Sequence, residues 1–307
     1  INSAAKNYDL NTGAILSDVN YGNSGALTNQ FGGQGGIQYQ FTPKIMGYAT
    51  ISRGFKPGGF NANTLSNAIQ LRAFKPEWLL SYEAGLKTML FGDRLRLNAA
   101  AFYYDYHDKQ EFGTQFVGAP FGILGGYVTA PRSHIYGVEA DMEAHPFRGL
   151  TLTQNFGFER GFYDEYMAPN RNAIIAKYAV TGIYYPIYTN YAGYSIPMPT
   201  LTLSGAAVYK LPIGSKYNLT FDIDYNYRGS QTQALYIGQG GIYRAPAYAL
   251  FNGFVTFSAP KQHWSVSVYS QNLADRKYWT GFGTQANFYG VVPGAPRFVG
   301  GKISLVY

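Results

Sequence analysis

The 307-residue chain has 24 Lys and Arg, 17 Asp and Glu, no Cys, 17% aromatic and only 13% charged residues. A charged fraction near half the usual ~25% is too low to clothe a soluble surface of this size, and a net charge of +7 carried by singly scattered cations excludes a nucleic-acid-binding role. No run of about 18 apolar residues exists to form a membrane-spanning helix, while a mean hydropathy of -0.16 suits segments in which half the positions are polar. The absence of Cys accords with passage through an oxidising periplasm, and a start at Ile1 without Met or signal peptide reads as a mature form or a fragment.

Residues 1–30, polar and rich in Asn, Gly and Ser, read as a loop segment. From residue 31 the sequence alternates with period two, which places successive side chains on opposite faces of a strand. Ile37, Tyr39 and Phe41 alternate with Gln38 and Gln40, and a less regular run covers 45–55. Leu80, Tyr82, Ala84, Leu86, Thr88 and Leu90 are interleaved with Ser81, Glu83, Gly85, Lys87 and Met89. Leu95, Leu97, Ala99, Ala101 and Tyr103 oppose Arg94, Arg96 and Asn98, and Val138, Ala140, Met142 and Ala144 oppose Glu139, Asp141, Glu143 and His145. Leu150, Leu152, Phe156 and Phe158 form a further apolar row, as do Leu201, Leu203, Ala207 and Tyr209. The clearest case spans 216–228, where Tyr217, Leu219, Phe221, Ile223, Tyr225 and Tyr227 alternate with Asn218, Thr220, Asp222, Asp224, Asn226 and Arg228. Phe251, Val255 and Phe257, then Trp264, Val266 and Val268, then Val299, Ile303, Leu305 and Tyr307 complete eleven strands.

Connections alternate strictly between short and long. Turns at 42–44, 91–94, 145–149, 212–216 and 259–263 are tight and rich in Pro, Gly, Asp and Lys, whereas those at 59–77, 107–133, 160–199, 229–244 and 279–295 are long. This is the order that an all-β, antiparallel up-and-down transmembrane barrel requires, with short turns on the periplasmic side and long loops outside. Phe41, Tyr209, Tyr217, Phe257, Trp264 and Tyr307 fall on apolar faces beside short turns and predict one interfacial girdle; Tyr103, Phe158 and Tyr227 predict the opposite one.

Several segments resemble the C-terminal half of the barrel of TonB-dependent outer-membrane receptors. Gly58-Gly59-Phe60-Asn61 is similar to the family's GG[FY]N element. Pro76-Glu77 followed by Tyr82-Glu83-Ala84-Gly85-Leu86-Lys87 resembles its PE...YE.G.K strand, and Gly137-Val138-Glu139 its GvE strand. Asn272-Leu273-Ala274-Asp275-Arg276-Lys277-Tyr278 matches NLxDxxY, and Pro293-Gly294-Ala295-Pro296-Arg297 with a terminal aromatic matches the closing element. The resemblance implies a bacterial outer-membrane location and a 22-strand barrel plugged by an N-terminal domain. It further implies energised uptake of a scarce ligand, most simply a ferric siderophore complex, with no enzymatic step and no cofactor. Implied partners are that ligand, outer-membrane lipid and lipopolysaccharide, and the TonB complex acting through a plug domain that this sequence lacks. Eleven strands are half the family's number, and an odd antiparallel set cannot close on itself. Residues 1–30 are therefore expected to form an extracellular loop segment, and 31–307 the C-terminal portion of a barrel completed by other strands.

Inward charges Glu83, Lys87, Arg94, Arg96, Glu139, Asp141 and Glu143 sit on consecutive strands, and read as wall-bracing pairs rather than acid-base machinery. The 160–199 loop carries eight Tyr with Arg160, Arg171 and Lys177. Such rings and cations suit an anionic or planar ligand, and equally suit packing of the loop itself. The ligand-binding residues expected on this basis are Tyr104, Gln110, Arg171, Tyr184, Tyr185, Tyr188, Tyr227 and Arg228. The four His stand at no metal-ligand spacing, and no H-E-x-x-H or G-x-S-x-G occurs, so neither a metal site nor a hydrolase is expected. The Gly-rich runs at 32–36 and 238–241 lack the Lys-Ser/Thr and helix of a phosphate loop. A passive porin and a non-transporting, adhesive barrel are the remaining alternatives.

Overall fold

A computed structural model describes residues 2–8, 15–23, 30–60, 68–232, 244–259, 263–285 and 288–305. The glycine run at 238–241 and Tyr307 lie outside these described residues, as do parts of the 59–77, 229–244 and 279–295 connections and of the 259–263 turn.

The architecture is one antiparallel sheet of eleven strands in which every strand pairs with its neighbours in sequence. The strands are β1 (Gly33–Thr42), β2 (Ile45–Lys56), β3 (Glu77–Leu90), β4 (Leu95–Gly118), β5 (Gly122–Ala144), β6 (Leu150–Glu165), β7 (Leu201–Ile213), β8 (Tyr217–Arg228), β9 (Tyr248–Ala259), β10 (Trp264–Gln271) and β11 (Phe298–Leu305). Strand β8 has the bounds its alternation implies. Among the described residues β1 and β11 are open edges.

Register turns the sequence pattern into two chemically distinct surfaces. One cross-sheet row reads Ile37, Ala49, Ala84, Ala101, Val138, Phe158 and Leu201. The next residue along each strand gives Gln38, Tyr48, Gly85, Ala100, Glu139, Gly157, Thr202 and Arg228. Burial confirms that the apolar rows point outward rather than into a core: Ile37 is 78%, Val268 59% and Ile303 74% exposed. In water such a face would be an aggregation surface, whereas hydrocarbon solvates it. Beside the short turns Tyr217 packs on Phe257 (5.3 Å) and Trp264 (6.4 Å), and Tyr209 meets Phe147 (6.1 Å), forming the expected girdle.

Several stretches hold more structure than a loop reading provides, among them the paired strands Trp279–Gln285 and Phe288–Pro293 and the short pair Gln231–Thr232 and Arg244–Ala245. The 107–133 connection is the outer half of a continuous β4–β5 hairpin, paired as far as Gly118 and Gly122, whose φ values of 71° and 72° suit glycine at the tip. The 160–199 connection contains the top of β6, short paired strands Met167–Pro169 and Tyr188–Asn190, and helix α1 (Arg171–Thr181). Asn170 caps α1 by accepting from the Ala173 N–H at 3.0 Å, and Gly182, at φ 67°, ends it. Residues 2–8 and 15–23 pair as a ribbon against a 3-10 turn at Ala68–Leu71, so the first 30 residues are not all loop.

Candidate ligand-binding site

The inner wall is built by rings laid over glycines. The Tyr48 ring crosses Gly85, where a Cβ would stand 2.7 Å from it, and its hydroxyl donates to Glu83 at 2.6 Å; Lys87 Nζ lies 5.6 Å from the ring centroid. The inward residues of Tyr82-Glu83-Ala84-Gly85-Leu86-Lys87 thus grip one tyrosine from the neighbouring strand. Phe102 covers Gly137 in the same way. Arg96 pairs with Glu143 at 2.9 Å and approaches Asp141 at 3.9 Å, so part of the expected bracing forms, whereas Glu83, Lys87, Arg94 and Glu139 take part in none of the ion pairs among the described residues. Between these strands and β8–β9 lies a groove of about 980 Å³, lined among others by Phe102, Tyr104, Glu139, Asn226, Arg228 and Tyr248.

Above the groove, at the long-loop end, stands the one buried cluster of the described residues: Phe102, Ala130, Ile135, Tyr163, Tyr166, Tyr191 and Ile196. It joins the β4–β5 extension to the 166–199 segment. Tyr163, fully buried, donates to Glu111 Oε2 at 2.8 Å, and Lys109 Nζ meets Glu111 Oε1 at 2.5 Å. Burial, then the adjacent Glu111 carboxylate, pushes the Tyr163 hydroxyl far above its ordinary pKa, and the same causes raise Tyr166. Both lie beyond the apolar row of β6, which ends at Phe158.

The structure separates the tyrosines that sequence reasoning left together. Tyr163, Tyr166 and Tyr191 pack the lobe. Tyr184 stacks on Tyr178 at 4.0 Å and lies against Gly122 at the hairpin tip. Tyr185 and Tyr188 are exposed, with Lys177 Nζ 5.9 Å from the Tyr185 ring, and Arg171 opens the helix beside them. Tyr104 faces the groove, stacked on Phe102 at 4.6 Å, and Arg228 stands at its rim, donating to Gln231 at 2.7 Å.

Two of the expected binding residues stand differently from the rest. Gln110 is buried and its amide donates to the Pro57 and Lys75 carbonyls at 2.9 and 3.0 Å, tying the 57–77 connection to the hairpin. Tyr227 is among the residues bordering the groove, although its pairing with Leu203 and Ala249 gives it the outward strand parity. Residues not anticipated are Phe102 and Tyr248, whose inward aromatic positions break the polar pattern of that face. That break was the available signal.

The last long connection is closed by a polar knot. Asn272, buried at φ 48°, donates to the Arg276 and Ala295 carbonyls (2.9 and 3.1 Å) and accepts from the Arg276 N–H at 2.8 Å. Asp275 accepts from the Arg297 N–H at 3.0 Å, and Gly294 leaves room for the Tyr278 ring, 2.1 Å from where a Cβ would stand. The Asn272–Tyr278 and Pro293–Arg297 motifs are therefore two halves of one junction.

An outward apolar belt, a polar inner wall and long loops gathered at one end define a transmembrane β-barrel sheet. The family model described as "TonB dependent receptor-like, beta-barrel" matches residues 2–273, and the chain belongs to that family of outer-membrane receptors. Similar solved structures include the ferric yersiniabactin uptake receptor FyuA from Yersinia pestis, with TM-score 0.70, 19% identity, and coverage of 96% of this chain and 39% of that one. The ferric-catecholate import receptor Fiu from K12 E. coli gives TM-score 0.68, 16% identity, and coverage of 99% and 40%. The copper transporter OprC gives TM-score 0.62, 13% identity, and coverage of 89% and 39%. The chain thus spans about two-fifths of the length of these structures, and at such identities the likeness is one of fold.

Proposed function

We propose that this chain is the C-terminal part of the barrel of a receptor that takes up a ferric siderophore complex in a TonB-energised step. The open edges β1 and β11 would be closed by strands outside it, and a plug would fill the lumen. The observation that carries the ligand class is the long-loop surface: between Glu165 and Asp222 the sequence contains no carboxylate. Arg171, Lys177, Tyr185 and Tyr188 are set in that stretch above the groove holding Phe102, Tyr104 and Arg228. In that stretch rings and cations stand without an acid, while Glu83, Glu139 and Asp141 line the groove beneath; the loop segment suits an anionic chelate with planar groups, through stacking and charge-assisted contacts. FyuA and Fiu, similar in fold, are described as receptors for ferric chelates.

The test is binding of ferric siderophores of several classes to the complete receptor, followed by quenching of Trp and Tyr fluorescence. Combined K177A and Y185A substitutions are expected to weaken the bound class about tenfold, the loss of one cation-π and one stacking contact. Unchanged affinity for every class would reject these residues as the site. A freely permeable channel in liposome-swelling assays would favour the passive-porin reading instead.

A further inference from the structure

At the long-loop end, where β6 leaves the belt of apolar residues, the sheet carries a small polar cleft separate from the groove. A cavity of about 120 Å³ is lined by Arg160, Ser195, Thr200, Ser230, Gln231 and Arg244 with adjoining residues. It forms where strand pairing breaks. Ile196 N donates to the Gly161 carbonyl at 2.8 Å and Glu159 N to the Thr200 carbonyl at 3.1 Å, so residues 197–199 stand opposite Arg160 alone and part the two chains. Gly229 N donates to the Leu201 carbonyl at 2.7 Å and brings Ser230 and Gln231 alongside; a Cβ at Gly229 would stand 2.9 Å from that oxygen. Arg244 comes from the short strand paired with Gln231–Thr232 and donates to Ser230 Oγ at 2.8 Å.

The lining suits an anion. Arg160 and Arg244 enter none of the ion pairs among the described residues, and no lining residue is a carboxylate. The sequence explains this: no Asp or Glu occurs between Glu165 and Asp222 or between Asp224 and Asp275, the stretches that supply all of the lining except Arg160 and Gly161. Gln231 accepts from Arg228 through its amide oxygen at 2.7 Å, which leaves its amide N–H groups to donate, and Ser195, Thr200 and Ser230 add hydroxyls. Two guanidiniums with amide and hydroxyl donors match the oxygens of a phosphate. Size narrows the ligand further: sites for drug-sized molecules run to about 300–1,000 Å³, so this cleft admits a single oxyanion group and excludes a whole chelate.

Register fixes the direction in which the first of these cations faces. Arg160 pairs with Tyr136, and Phe162 with Ser195, on the same strand parity as the outward pair Val138 and Phe158; Val138 is 42% and Tyr136 37% exposed. Arg160 follows Phe158, the end of the β6 apolar row, by two residues, and its guanidinium carbon lies 5.5 Å from the Phe162 ring centroid. It therefore stands about 7 Å beyond the apolar belt on the lipid side, at the level of the outer-leaflet headgroups. We propose that this cleft binds a phosphate monoester carried by a glycolipid of the outer leaflet, with Arg160 and Arg244 as its two cationic contacts and the acyl chains along the outward row of Phe158 and Leu201. This inference stands apart from the identity of the transported ligand.

The test uses the complete receptor in a neutral detergent, titrated with diphosphoryl lipid A, with the same lipid stripped of both phosphates, or with inorganic phosphate, and read by native mass spectrometry. The wild-type protein is expected to bind diphosphoryl lipid A at least tenfold more tightly than an R160Q/R244Q variant, with the stripped lipid unaffected by the substitutions. R244Q alone, outside the eleven-stranded sheet, should show a smaller loss in the same direction and serves if the double variant no longer migrates as a folded barrel. Affinity for a bound ferric siderophore should be the same in wild type and variants, which separates this cleft from uptake. Inorganic phosphate that binds as tightly as the lipid and displaces it would overturn the lipid as the source of the phosphate. Equal lipid A affinity in wild type and variants, or a loss confined to the siderophore, would overturn the site itself.

Discussion

Replacing Tyr163 by Phe removes one hydroxyl and almost no volume, and so isolates what the buried Glu111 carboxylate contributes to the lobe. In the native lobe Glu111 receives the Tyr163 hydroxyl on one oxygen at 2.8 Å and Lys109 on the other at 2.5 Å. Glu111 and Lys109 side chains are only 10% and 19% exposed, so water cannot readily take the place of the lost donor. A hydrogen bond to a charged group contributes about 1.5–3 kcal/mol, and the ring's packing against Tyr166 is retained. The 161–198 segment should therefore open roughly ten- to a hundredfold more often. Amide hydrogen exchange on the complete receptor reads this directly: exchange in 161–198 and in the 109–130 hairpin should accelerate by that factor, while β7–β9 stay unchanged. Acceleration below about twofold, or spread evenly over the barrel strands, would refute the claim that this cluster holds the lobe as a local unit.

Strand parity predicts a sharp contrast between adjacent residues on β10. Val268→Arg, on the lipid face, should cost about 2–4 kcal/mol near the bilayer midplane and Ser267→Arg, on the inner face, far less; denaturant refolding into vesicles measures both. Arg96→Ala should change stability by no more than about 1 kcal/mol, because Arg96 and Glu143 side chains are 50% and 34% exposed and solvent screens their attraction. A loss well above that would mean the wall pair is effectively desolvated. Tyr163 and Tyr166 have pKa values raised in the folded lobe above the ordinary 10.0, so the stability they contribute is complete below pH 10. It falls as pH rises beyond 10, where the opened segment releases protons that the closed one retains. Subtilisin cleavage within 166–199, normalised to an unfolded substrate at each pH, should accelerate above pH 10, and a flat profile would contradict this linkage.

The alternation in sequence carried the eleven strands and the facing of almost every side chain, because one face must meet hydrocarbon and the other water. That signal ends where the lipid ends. Past His107 the β4–β5 hairpin runs through water on both sides, so no apolar row marks it, and it reads as loop although pairing continues to Gly118 and Gly122. The candidate site was legible in kind and only partly in detail. Tyr104 and Arg228 line the groove, and Tyr185 and Tyr188 are exposed on the long-loop segment. The burial of Tyr163, Tyr166 and Tyr191 depends on contacts with Ala130 and Ile135 from another hairpin, which no local pattern encodes. Tyr227 shows the opposite fault: its outward parity was readable from the 216–228 alternation.

Uptake is the most direct measure of the central claim. Cells producing the complete receptor as their sole route for a bound ferric siderophore, grown under iron limitation, should accumulate radiolabelled iron from it, and lose accumulation when the TonB complex is inactivated while surface binding persists. Accumulation that continues without the TonB complex, or binding without any accumulation, would contradict energised import by this protein.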